Sequence, residues 1–95
     1  MKLRMKRNAL QSELSQAVYF RGRQLLAESE WATDGLQSAE WYAEQWKKSA
    51  RLVANISTSS YSDILDHVFA EGRKEFEDHV ERAEFLKQFA NEVAA

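Results

Sequence analysis

Leu36, Ala39, Ala43, Trp46, Ala50 and Val53 follow one another at steps of three, four, three, four and three. Such steps return to one side of an α-helix but scatter over both faces of a strand, so residues of about 35–55 specify a helix with one packing seam. Its alanines, Ala39, Ala43 and Ala50, let a neighbouring helix come close. Ahead of the seam, Thr33-Asp34-Gly35 reads as a break, with Asp34 as N-cap and Gln37 placed three residues on to reach back to it.

The flanking segments share the helical period. Leu10, Leu14, Val18, Gly22 and Leu25 lay one stripe along a helix of about 5–30. Gly22 falls on that stripe, where a residue that disfavours helix by about 1 kcal/mol points to a close backbone approach or else to a kink. Ile56-Ser57-Thr58-Ser59-Ser60-Tyr61-Ser62 is dense in hydroxyls that compete for backbone hydrogen bonds, so it reads as the main loop, with Ser60 or Ser62 capping the last helical segment. Leu65, Val68, Phe69, Phe76, Val80, Ala83, Leu86, Ala90 and Val93 then keep phase over about 62–94, as one helix bent at Gly72 or as two helices meeting there.

With no proline and only three glycines to interrupt it, the chain reads as one all-α domain over 1–95, a small bundle of three to four helices. A 95-residue chain hides only roughly 65% of its extended surface on folding. The bundle is therefore expected to be marginal alone and open to completion by dimerisation.

Several functions are disfavoured by what is missing. There is no cysteine, hence no disulfide, thiolate metal site or thiol nucleophile. The basic start is followed by no apolar run, so neither a secretory signal nor a membrane span is expected, and the cytoplasm is the expected compartment. Asp63, His67 and Glu71 share a helix face, and Glu75 precedes His79 by four. A His-x-x-x-His pair, a Glu-x-x-His motif and cysteine are all missing, so no metal or cofactor is expected. No nucleophile motif and no phosphate-cradling loop occur either, which leaves no expected catalytic residue and a protein that is not an enzyme.

Charge is divided unevenly behind a net value of -2: residues 1–52 hold nine Lys and Arg against six Asp and Glu, and residues 53–95 hold four against nine. A chain so acidic in its second half is not expected to take nucleic acid as its direct ligand, although Lys2, Arg4, Lys6 and Arg7 at the amino end leave a nucleic-acid accessory role as one alternative. Trp46 lies on the seam and reads as core. Trp41 falls opposite the seam, in a column with Gln45, Lys48 and Leu52. It reads either as an anchor for a protein partner or as the contact of a third helix. The expected partner-binding residues are Arg21, Arg23, Trp41, Gln45 and Lys48, together with the carboxylates Glu75, Glu77, Asp78 and Glu81.

Tyr19-Phe20-Arg21-Gly22-Arg23, then Gln37-Ser38-Ala39-Glu40-Trp41-Tyr42, then Lys48-Ser49-Ala50-Arg51 together resemble the Gam-type inhibitors that lambdoid phages use against the RecBCD nuclease. The likeness covers about half of the chain, with a shorter interval than that family has between the Phe-Arg-Gly-Arg segment and the tryptophan helix. It implies an all-helical, dimeric, non-enzymatic inhibitor that occludes the DNA-binding surface of a host defence complex, in part by imitating the charge of DNA. Arg21, Gly22, Arg23 and Trp41 are the positions it carries over. An anti-CRISPR protein bound to a Cas effector fits the same profile, and a structural protein self-associating through the 36–53 seam is the alternative of a different class.

Overall fold

A computed structural model describes residues 2–94, with side chains described for 7–93. It is an all-α bundle of three helices, α1 (Lys2–Ala27), α2 (Ala39–Ile56) and α3 (Tyr61–Ala94). Leu10 and Leu14 line one cleft with Val53 and Ile64, whereas Leu26 lies beside Phe76 and His79. Hence α1 and α3 run side by side in the same direction, with α2 antiparallel to both.

The core consists of Ala17, Trp46, Ala50, Val53, Ile64 and Val68, with Leu10, Leu14, Phe20, Ala43, Ala54 and Leu65 packed against it. The α2 seam is thus filled by the chain's own helices, which removes it as a surface for self-association. The indole of Trp46 donates from Nε1 to Gln24 Oε1 at 2.6 Å, so the largest core side chain has its one polar atom satisfied by α1. On α1 the buried positions are Ala17, Gly22 and Leu26, while Val18 and Leu25 are only half-buried. The expected stripe is therefore widened and not turned: Gly22 is buried and Leu10 and Leu14 pack on the core as expected, and Ala17 and Leu26 on either side join them because α1 packs between two helices.

Both connections differ from the sequence expectation. Helix α2 begins at Ala39, and its N-cap is Ser38, not Asp34: Ser38 is extended at φ -67°, ψ 154° and its hydroxyl accepts from the Trp41 N–H. Gln37 makes no capping box; its N–H donates to the Tyr42 hydroxyl at 3.2 Å. Leu36 closes a turn onto the Thr33 carbonyl at 3.2 Å, so the helix cannot start earlier. The long connection is accordingly 28–38. The serine-rich segment shrinks to 57–60, where Ser57 ends α2 by donating to the Val53 carbonyl and Ser60 caps α3 by accepting from the Asp63 N–H at 3.1 Å.

Helix α3 runs unbroken through Gly72. That glycine serves a crossing with α1: a Cβ there would lie 2.5 Å from Arg21 Cγ and 2.8 Å from Arg21 Cβ, and one at Gly22 would lie 3.0 Å from Glu75 Cβ. At 34 residues, α3 is about 50 Å long and outruns its partners, giving a body of 58 × 27 × 21 Å. Phe85, Leu86, Phe89 and Val93 near its end are 64%, 60%, 55% and 71% exposed.

Candidate functional site

Helix α1 carries six Lys and Arg against one carboxylate, and α3 carries nine carboxylates against four Lys and Arg. The ion pairs among the described side chains nevertheless lie within α3, Arg73 with Glu77 and Lys74 with Glu71, both at 3.2 Å. Most α3 carboxylates therefore face water or a partner, not α1.

The four expected carboxylates do not form one face. Glu75 and Asp78 turn toward α1 and share a groove with Tyr19, Arg23, His79 and Arg82. Glu77 and Glu81 turn to the other side, where with Glu84 they form a column at i, i+4 and i+7. That column borders a groove against the 28–38 connection, lined also by Ser29, Glu30, Trp31, Phe76 and Val80. Four carboxylates thus line the same groove as one half-buried indole, with Glu77 among them ion-paired to Arg73, and the Lys87 ammonium sits 6.0 Å from the ring centroid. Glu30, Trp31 and Glu84 are absent from the sequence-based set. The spacing of Glu77, Glu81 and Glu84 was visible in the sequence, but nothing local places residue 31 against residue 84.

The basic and aromatic candidates separate as well. Arg21 faces inward: its Nη1 donates to Gln24 Oε1 at 2.9 Å, and its guanidinium lies 4.5 Å over Phe69 and 5.8 Å from Trp46. Its Nε is buried without a partner. Burial lowers its pKa, Glu28 opposes that shift and Arg73 adds to it. Arg21 therefore ties three helices together, and two positions that carry the family resemblance, Arg21 and Gly22, serve the chain's own helix crossing. Arg23 is half-buried in the groove between α1 and α3, its guanidinium 5.1 Å over the Tyr19 ring.

Trp41 is 40% exposed and meets Phe20 and Tyr42 edge-on at 5.8 and 5.2 Å. One side of its ring is held by α1 and the other is free, so neither expectation for it holds alone. Gln45 is half-buried, and Lys48 and Leu52 are exposed along the same column.

Asp63 and His67 line the apolar cleft of Leu10, Leu14 and Ile64, while Glu71 is paired with Lys74. Among the described residues, no group of three His, Cys, Asp or Glu side chains is placed to hold a metal ion, and no helix is long and apolar enough to cross a membrane. Compared with known proteins, the chain matches no family model, no curated protein and no solved structure.

Proposed function

We propose that this chain is a non-enzymatic inhibitor of phage type, which binds a defence enzyme of its host and covers a basic, DNA-binding surface of that enzyme. The observation that supports it is the groove of Glu30, Glu77, Glu81 and Glu84 around Trp31. Carboxylates in a column on a rigid helix resemble a run of phosphates in charge, and a partly open indole among them supplies the apolar anchor that charge alone lacks. The groove is built from α3 and the 28–38 connection, so folding of the bundle sets its shape before any partner arrives. Resemblance to the Gam-type inhibitors makes a RecBCD-like helicase–nuclease the first target to test.

The test is digestion of linear duplex DNA by a purified RecBCD-type enzyme. Protection by the native chain is expected, with loss of protection in a Glu81→Lys, Glu84→Lys variant that keeps its helical circular dichroism. A parallel reaction with a Cas effector separates the anti-CRISPR alternative. Absence of inhibition in both reactions removes the inhibitor reading.

A further inference from the structure

We infer that Lys87 plugs the groove around Trp31 from within, and that an arginine side chain of the bound partner displaces it from the indole. The inference rests on the reading of that groove as the surface that meets a basic partner; it adds which cation the groove selects and what holds the place beforehand. Counted at 100° per residue, Lys87 falls between the lines of Phe76 and Val80 on α3, about 20° from each. Phe76 and Val80 are half-buried where they line the groove. A lysine thus stands where the helix turns its apolar side to the 28–38 connection, and its ammonium lies 6.0 Å from the Trp31 ring centroid.

Ion pairing elsewhere on α3 sets this lysine apart. Lys74 closes on Glu71, three residues before it, at 3.2 Å. Lys87 has Glu84 at the same spacing, yet no such pair forms among the described side chains, and the ammonium goes to the ring instead. Glu77 is held by Arg73 at 3.2 Å. Glu30, Glu81 and Glu84 therefore line the groove without an ion-pair partner among the described side chains, facing a single tethered cation. An ammonium meets an indole as a point charge. A guanidinium lies flat on the ring and still directs N–H groups from its edge to carboxylates on either side. An entering arginine satisfies both parts of the groove, and the released Lys87 is free to close on Glu84 as Lys74 does on Glu71, which offsets what the exchange costs. A partner's lysine brings the charge without the stacking, so the groove prefers arginine.

The test titrates the full chain at low salt with hexa-arginine and, separately, with hexa-lysine, followed by nuclear magnetic resonance. The three tryptophans give three indole N–H signals, and the signal of Trp31 is expected to shift. Hexa-arginine should bind about threefold more tightly than hexa-lysine, a preference lost in Trp31→Leu. Lys87→Gln should bind hexa-arginine about threefold more tightly than Lys74→Gln, which makes the same change of charge elsewhere on α3. Lys74 and Lys87 are both exposed, so this pair of variants decides the matter even if Trp31→Leu loses its helical circular dichroism. In the DNA-protection assay Lys87→Gln should reach half-protection at about a third of the native concentration. Equal binding by Lys87→Gln and Lys74→Gln, equal affinity for the two peptides, or a Lys87→Gln gain that persists in a folded Trp31→Leu chain would overturn the proposal. Protection of DNA by a chain that shows such equal binding would leave the inhibitor reading standing without the plug. The expected peptide results from a chain that protects no DNA would do the reverse.

Discussion

Gly22 and Gly72 face each other across the crossing of α1 and α3, so closely that a Cβ on Gly72 would lie 3.4 Å from the Gly22 amide nitrogen. That approach brings the Arg21 stem over α3 and lets Leu26 and Phe76 meet beyond it. Alanine at Gly72 would collide with Arg21 Cβ, which is fixed to the backbone and cannot swing away. Gly72→Ala is expected to lose about 1–2 kcal/mol in urea unfolding, since overpacking exceeds the helix-propensity gain of about 1 kcal/mol. Gly35 has no neighbour within 4 Å of its virtual Cβ and no positive φ. Gly35→Ala should stay within about 0.5 kcal/mol of the parent.

Gln24 accepts from both Trp46 Nε1 and Arg21 Nη1. Gln24→Leu removes the acceptor and leaves two donors unsatisfied in a partly buried place. Thermal or urea unfolding should register a loss of about 1–3 kcal/mol, more than the small change of side-chain volume accounts for.

Burial lowers the pKa of Arg21, so the unfolded chain holds this proton more tightly than the folded one. Stability would rise only as pH climbs through the folded pKa, and an arginine side chain stays protonated through the ordinary working range. Below that window the group is charged in both states, and its contribution does not vary with pH. Arg21→Met keeps an apolar stem against Gly72 and Phe69 while removing the burial of a charge. It should unfold within about 1 kcal/mol of the parent, with the same difference at pH 5 and pH 9. Arg21→Ala, which loses the stem, should be the less stable of the two.

Ser38, not Asp34, accepts from the Trp41 amide in the first turn of α2. Ser38→Ala should therefore cost about 1 kcal/mol, and Asp34→Ala should cost a few tenths at most. Urea titrations of the two variants check this directly.

The α2 seam was legible in the sequence because its period is regular and its side chains differ sharply in size; Trp46, Ala50 and Val53 are buried as the spacing requires. The single-turn features were not. Asp34 and Ser38 are both good caps, and the choice between them is made by the Tyr42 hydroxyl holding the Gln37 amide, a contact within the folded turn. On α1, Ala17 and Val18 are adjacent, and which of them faces the core depends on where two other helices lie. The groove around Trp31 was hidden for a related reason. Its carboxylates come from α3, but the indole comes from 28–38, whose path over α3 no local pattern encodes.

The most direct measurement is the affinity of the native chain for the purified helicase–nuclease as salt is raised, beside that of the Glu81→Lys, Glu84→Lys variant. Binding carried by the carboxylates around Trp31 should weaken steadily with ionic strength and be lost in the variant. Affinity that is indifferent to salt, or a variant that binds as tightly as the parent, would contradict the acidic groove as the surface through which this protein acts.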